Sequence, residues 1–134
     1  HLADLRGHAV LLYFYRSDRS RTSAARARSF RKRHAEIASR GVRILAVSPD
    51  PVESHSRFRL RHGLNFPLLS DPDCRVATAY GAAREHEEEG RRVVRVQPAV
   101  FLIDSQGIVR RVWRRLGESM IDEVVEAIRA LPPG

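Results

Sequence analysis

The apolar positions of this chain follow two patterns, nearly continuous runs and stripes at helical spacing. Residues 9–15 (AVLLYFY) and 42–47 (VRILAV) are runs typical of strands that are buried on both faces of a sheet. Between them, five side chains recur at the spacing of one helix face: Ala27, Phe30, His34, Ile37 and Ala38. Gly41 ends that helix, and a shorter helix follows over residues 52–61, before Gly63. The first half of the chain therefore predicts two strand–helix units.

The second half predicts a short strand, a helix and a hairpin. Residues 66–69 (FPLL) are the strand, and residues 71–73 (DPD) predict the cap of the helix that follows. Residues 85–92 (EHEEEGRR) are almost entirely charged and predict a solvated hairpin tip. Residues 99–104 and 108–113 predict two strands joined through a turn with the sequence SQG.

The last helix has the clearest pattern of all. Its apolar stripe is made of Ile121, Val124, Val125, Ile128 and Leu131. Ser119 and Asp122 have the spacing of a capping box, and Pro132 and Pro133 end the helix. The order of elements predicts an α/β fold with a mixed central sheet flanked by helices, built as a single domain over residues 1–134.

Composition narrows the class of protein. A hydrophobic content of 43% with 30% charged residues is typical of a soluble globular domain, and no apolar run approaches the ~20 residues of a membrane helix.

The net charge of +8 comes almost entirely from arginine, since Lys32 is the only lysine. Arg26, Arg33 and Arg40 recur every seven residues and predict a helix edge that could meet phosphate. Because the arginines are scattered along the chain, we interpret them as a solvated surface and do not expect nucleic acid as a partner.

Several strings resemble peroxiredoxins of the alkyl hydroperoxide reductase/thiol-specific antioxidant (AhpC/TSA) family. The middle of the chain carries the resemblance in VESH (residues 52–55), GLNFPLLSDPD (residues 63–73) and VATAYG (residues 76–81). LRG (residues 5–7) and VFLIDSQG (residues 100–107) fit the same family. The resemblance covers nearly the whole chain and implies a thioredoxin-like three-layer sandwich. The family normally begins with a further hairpin before the LRG string, and we expect that short segment to be absent here.

The resemblance also implies where the chemistry would lie. The family holds a cysteine where the first strand meets the first helix, whose dipole and free N–H groups favour the thiolate. That thiolate attacks a peroxide, becomes a sulfenic acid and is reduced through a disulfide. One branch has two cysteines at the positions of Ser20 and Ser23, and the other family pattern places its cysteine at Ser23. Because a serine hydroxyl stays protonated and cannot cycle through these states, we expect a degenerate site without peroxidase activity.

The same resemblance marks a shell around the two serines. Tyr15, Arg16 and Asp18 match the branch that has both cysteines, and Thr22 lies between the serine positions. Pro98 stands where thioredoxin-like proteins often keep a cis-proline that faces this turn, so we expect a cis peptide there. The proline also replaces an arginine with which many peroxiredoxins polarise the peroxide.

Two origins of the serines stay open. Natural loss of the redox centre would also explain Arg19 and Arg21, which replace the family's Trp and Pro beside the first cysteine position. Artificial replacement of cysteine by serine in an active thiol peroxidase would explain only Ser20 and Ser23. We therefore favour natural loss.

Cys74 is the only cysteine, which excludes an internal disulfide and a dithiol centre within one chain. It begins a predicted helix after Asp73, whose charge would oppose ionisation, so we interpret it as an incidental free thiol rather than a partner for an intermolecular disulfide.

His34 falls on an apolar helix face and is expected to pack in the core. The other central histidines lack metal-ligand spacing: His8, His55, His62 and His86. We expect no metal ion and no cofactor.

Three hypotheses for function follow. The first is a peroxiredoxin-like domain without its redox cysteines that keeps a binding or regulatory role, with a thioredoxin-type or other protein partner. The second is an arginine-rich module for polyanions, and the third is a structural homo-oligomer, a homodimer being the form considered. We expect a cytoplasmic protein, although the chain begins at His1 without Met and secretion therefore stays open.

Overall fold

The structure is a computed structural model and describes residues 7–131. In chain order, its elements are β1 (Ala9–Phe14), α1 (Arg21–Lys32), α2 (His34–Ser39), β2 (Val42–Ser48), α3 (Val52–His62), β3 (Leu68–Ser70), α4 (Arg75–Ala79), β4 (Ala83–Glu88), β5 (Arg91–Val96), β6 (Ala99–Ile103), β7 (Val109–Trp113) and α5 (Met120–Arg129). Leu5, Arg6, Pro132 and Pro133, on which the sequence analysis placed a family string and a helix stop, lie outside the described residues.

Five strands form the central sheet in the order β3-β2-β1-β6-β7. β1 pairs in parallel with β2, and β2 in parallel with β3, as strand–helix–strand units require. β6 runs antiparallel to β1, and β7 antiparallel to β6, which makes the sheet mixed. This confirms the predicted α/β class with its final hairpin.

The alternation of side chains along β1 divides the core into two halves. Leu11, Tyr13 and Tyr15 point to one face, which α1, α2, α3 and α5 cover; we call it the α1 face. Val10, Leu12 and Phe14 point to the other face, which α4 and the start of β4 cover; we call it the α4 face. Because β1 is buried on both sides, its sequence is apolar throughout, and helices on both faces give the thioredoxin-like three-layer arrangement.

The helix predicted across residues 27–38 is two helices. α1 ends at Lys32, and α2 begins at His34, with Arg33 between them at φ −101 and ψ 8. Phe30 and Ile37 are both buried, so the apolar spacing continues through the break. His34 is only half-buried, and Arg26, Arg33 and Arg40 do not share one helix edge because the helix does not continue past Arg33. The predictions of a core histidine and of a single arginine stripe were wrong.

The predicted helix caps have different outcomes. Asp71 caps α4, since its carboxylate oxygens accept the N–H groups of Val76 at 3.2 Å and Ala77 at 3.0 Å. Ser119 makes no side-chain cap bond at α5. Its φ of −78 and ψ of −8 are already helical, whereas a capping side chain needs extended backbone to reach the next N–H groups. The prediction of a capping box at Ser119 and Asp122 was therefore wrong.

Residues 85–92, predicted as a solvated hairpin tip, include the end of β4 and the start of β5 as well as the turn between them. β4 and β5 form a separate two-stranded ribbon that turns at Glu89 and Gly90. Glu87 lies opposite Arg92, and Glu88 opposite Arg91, so opposite charges face each other across the ribbon. Within residues 7–131, no helix has the length and apolar content needed to cross a membrane.

Candidate functional site

The turn between β1 and α1 places Ser20 at the N-cap of α1. Its backbone is extended, with φ −76 and ψ 124, and its hydroxyl oxygen accepts the N–H of Ser23 at 3.1 Å. This is the standard use of serine at a helix start, where the first N–H groups have no partner within the helix. The Ser20 hydroxyl is therefore engaged in holding the helix head.

Ser23 lies in the first turn of α1 and is only 2% exposed. The Tyr13 hydroxyl donates a hydrogen bond to the Ser23 carbonyl at 3.3 Å and ties the helix head to β1. Within the described part of the chain, no histidine and no carboxylate forms a hydrogen bond with the Ser23 hydroxyl. Nothing there can take up its proton, so this serine is not an activated nucleophile.

Asp18 lies at the centre of a buried polar network beside this turn. The Tyr15 hydroxyl donates to Asp18 Oδ1 at 2.5 Å, and the Ser54 hydroxyl donates to Asp18 Oδ2 at 2.7 Å. His55 Nδ1 lies 2.9 Å from the same Oδ2. Both side chains of the Asp18–His55 pair are 5% exposed. The network joins the turn to the first two turns of α3.

The neighbours of His55 favour its protonated form. His55 Nε2 lies 3.1 Å from the Leu69 carbonyl, which can only accept, so a proton on this nitrogen is favoured. Nδ1 lies 3.3 Å from the Tyr15 hydroxyl and faces the Asp18 carboxylate, whose charge favours a proton there as well. Burial acts to lower the pKa of His55, but the bond to Asp18 and its charge outweigh burial and the pKa is raised. Burial acts to raise the pKa of Asp18, and the donors His55, Tyr15 and Ser54 together lower it.

Asp50 fixes the turn to the end of β2. Its Oδ2 accepts the Asp18 N–H at 2.9 Å and the Ser48 hydroxyl at 2.6 Å. The Ser70 hydroxyl donates to the Asp50 carbonyl at 2.6 Å, which adds β3 to the same assembly. The ends of three parallel strands thus meet at one loop, and hydrogen bonds through Asp50 connect them to it.

Asp18, Asp50 and His55 offer atoms within 4.8 Å of one another and are the group that could hold a metal ion among the residues described. The Asp18 and Asp50 carboxylates each accept protein hydrogen bonds, and both nitrogens of His55 face protein acceptors. The arrangement is a satisfied ion pair. Asp50 and His55 had no predicted role, although Asp50 follows a buried strand and His55 lies in the first turns of the next helix.

The remaining shell residues lie around the head of α1. Arg16 is exposed, and its Nε donates to the Val96 carbonyl at 3.1 Å. Thr22 is exposed in the first turn of α1. Pro98 precedes β6, and its peptide is trans, so the expected cis bond was wrong. The trans form is the lower in free energy for X–Pro bonds, by about 0.5–1 kcal/mol, and this fold does not override it here.

Cys74 lies on the α4 face, on the opposite side of the sheet from Ser23. The residue is 4% exposed and occupies the left-handed conformation with φ 55. Burial, followed by the charges of Asp71 and Asp73, raises the pKa of the thiol. A buried thiol of this kind is held protonated and is a poor nucleophile.

Comparison with known proteins places this geometry in a family. The model of the AhpC/TSA family matches residues 1–112. The chain belongs to this family. Peroxiredoxin Bcp of Bacillus subtilis is 32% identical over 130 residues, which are 97% of this chain and 82% of the relative.

Solved structures agree with the family. A bacterioferritin comigratory protein of Xanthomonas campestris, characterised for alkyl peroxide reduction, superimposes with a TM-score of 0.88 at 32% identity, over 96% of this chain and 83% of that chain. The C48S variant of peroxiredoxin Q from the same organism gives the same TM-score of 0.88 at 32% identity, over 96% of this chain and 82% of that chain. AhpC/TSA membership confirms the fold that the resemblance implied.

Proposed function

We propose that this AhpC/TSA family protein has no thiol peroxidase activity and acts as a non-catalytic binding domain through the surface around the head of α1. One observation carries the proposal: the helix head holds hydroxyls at Ser20 and Ser23, while the only thiol, Cys74, is buried across the sheet. Peroxide reduction by this family needs a sulfur that can become a sulfenic acid and be reduced again. An alcohol oxygen has no such states.

Neither serine has another route to catalysis. The Ser20 hydroxyl is bonded to the helix, and Ser23 has no base beside its hydroxyl among residues 7–131. The His55 imidazole, which contacts the turn at Asp18, is held between Asp18 and the Leu69 carbonyl with both nitrogens in use. It is therefore not free to accept a proton from a nucleophile.

The turn nevertheless keeps a defined shape. The Asp18 N–H donates to the Asp50 carboxylate and ties the turn to the end of β2. The exposed side chains around the turn are cationic or carry a hydroxyl: Arg16, Arg19, Arg21 and Thr22. A rigid loop binds a partner with a smaller loss of conformational entropy than a mobile one does. This supports a retained interaction, and a thioredoxin-type protein is the partner class that the family implies.

A peroxide consumption assay tests the proposal. Hydrogen peroxide and cumene hydroperoxide are each supplied with dithiothreitol, and in a second series with thioredoxin, thioredoxin reductase and NADPH. We expect no consumption above the rate without protein, for both the wild type and Cys74→Ala. Turnover that persists in Cys74→Ala would overturn the proposal, because the chain would then reduce peroxide without any thiol. Turnover that disappears with Cys74→Ala would also overturn it and would assign the activity to Cys74.

A pull-down between the protein and thioredoxin-type partners tests the binding half. Arg19→Glu reverses a charge at the head of α1, and Arg57→Glu makes the same change at an exposed site on α3. We expect retention of the partner by the wild type and Arg57→Glu, and loss of retention by Arg19→Glu. Equal retention by both variants would place the interaction elsewhere and contradict the proposed surface.

A further inference from the structure

A cavity of about 300 Å³ lies between α1, the segment from the end of α4 to the start of β4, the residues before β6 and the residues after β7. Three arginines line it: Arg26, Arg84 and Arg114. Pro98 and Gln97 contribute part of its wall. No aspartate or glutamate is among its described lining residues. The cavity therefore concentrates positive charge without an internal counter-ion.

Two of the guanidinium groups are anchored by neutral acceptors. Arg26 Nε donates to the Leu116 carbonyl at 3.3 Å, and Arg114 Nη1 donates to the Gly81 carbonyl at 3.1 Å. The Arg114 guanidinium also lies over the Phe101 ring, 5.8 Å from its centroid. Each anchor uses one of the five N–H donors of an arginine and leaves its charge unneutralised.

Some arginines elsewhere are ion-paired, whereas others, such as Arg16 and Arg31, donate to a backbone carbonyl as the cavity arginines do. Arg33, Arg95 and Arg110 each approach a carboxylate at 2.7 Å. Among residues 7–131, none of the three cavity arginines lies within ion-pair distance of a carboxylate. Arg26 and Arg114 are thus held in place, and the charges of all three cavity arginines stay available to a ligand.

We propose that this cavity binds a small anion through a phosphate group. A guanidinium presents parallel N–H donors that match two oxygens of a phosphate, and a dianion gains more from several converging positive charges than a monocarboxylate does. No thiol takes part, so the site does not depend on the redox state or activity of the turn. Free inorganic phosphate and the phosphate group of a larger small molecule share this chemistry.

Isothermal titration calorimetry at low ionic strength tests the site with inorganic phosphate, pyrophosphate and acetate. We expect one phosphate per chain and weaker binding of acetate. Because each guanidinium–phosphate contact is a charge-assisted hydrogen bond, Arg26→Gln and Arg114→Gln should each weaken phosphate binding by about tenfold or more. Pyrophosphate that binds more tightly than phosphate would indicate a larger phosphate-bearing ligand, and equal affinity would indicate free phosphate.

Two further variants keep the test specific. Arg84→Gln changes an exposed side chain of the ribbon, so its expected loss of binding cannot come from a disturbed core. Arg57→Gln removes the same charge from an exposed site on α3 and should leave the affinity unchanged. The proposal is overturned by the absence of saturable phosphate binding, by an equal loss in Arg57→Gln, or by acetate binding as tightly as phosphate.

Discussion

The Ser20 hydroxyl oxygen accepts a hydrogen bond from the Ser23 N–H, and a thiolate sulfur in its place would accept the same hydrogen bond. Ser20→Cys in the Cys74→Ala background therefore tests whether the helix head still favours a thiolate. We expect a thiol pKa below the ordinary ~8.5, because the N–H and the positive end of the helix dipole both stabilise the anion. The rate of iodoacetamide alkylation against pH measures it.

Ser29→Cys in the same background is the matched control for this substitution. Ser29 lies further along α1, and its hydroxyl donates to the Ala25 carbonyl at 3.2 Å, a bond that would favour the protonated thiol. We expect alkylation at pH 7 to be about tenfold faster for Ser20→Cys than for Ser29→Cys, which corresponds to a difference of about one pKa unit. Equal rates would show that the head of α1 has lost its preference for an anion.

Asp18→Asn removes the charge that faces the buried His55 imidazole. We expect the free energy of unfolding to fall by about 3 kcal/mol, the loss typical of breaking a buried ion pair from one side. NMR titration should also show a lower pKa for His55, because the carboxylate is the group that holds it up. Urea denaturation at pH 6 gives the stability, with Asp73→Asn at an exposed position as the control. If the free energy of unfolding falls equally in Asp18→Asn and Asp73→Asn, the Asp18–His55 pair makes no net contribution to stability.

At the scale of the element, α1 and α5 differ in how their first turns are held. Both have serine at the N-cap, but only Ser20 makes the side-chain bond. Ser20→Ala should therefore cost about 1 kcal/mol of stability. Ser119→Ala should cost nothing measurable. Denaturant unfolding of the two variants gives the comparison, and equal losses would contradict the assigned caps.

The elements that the sequence predicts well are those whose cause is local. The runs at residues 9–15 and 42–47 are apolar because both faces of β1 and β2 are buried, and both strands are confirmed. The break at Arg33 leaves no mark on the pattern, because Phe30 and Ile37 stay buried on its two sides. The Ser119 cap fails for a similar reason, since residue spacing does not specify the backbone angles of the serine.

At the scale of the whole molecule, the polar network depends on contacts between distant parts of the chain. Asp18 and His55 are 37 residues apart, and His55 and Leu69 are 14 apart. They meet because β1, β2 and β3 are parallel neighbours whose ends open on the same edge of the sheet. The sequence predicts the strands and marks Asp18 through a family resemblance. The partnership with His55 and Asp50 needs the packed sheet, so no local pattern could indicate it.

The same network should set the pH dependence of stability. The pKa of His55 is raised in the folded protein, so its contribution is fully present below the unfolded value of ~6.5 and is lost as pH rises through the folded pKa. The pKa of Asp18 is lowered, so its contribution is present above ~3.9 and is lost as pH falls through the folded pKa. Stability from this pair is therefore greatest between about pH 4 and 6.5. His62 acts in the opposite sense below about pH 6.5, where stability rises with pH because burial and then the nearby arginines lower its pKa. For this reason, the informative quantity is the difference in free energy of unfolding between wild type and Asp18→Asn, measured in urea at pH values from 5 to 10. That difference should shrink as the pH rises past the folded pKa of His55, with a slope of at most about 1.4 kcal/mol per pH unit. A difference in free energy that stays constant over this range would show that Asp18 does not hold His55 in its protonated form.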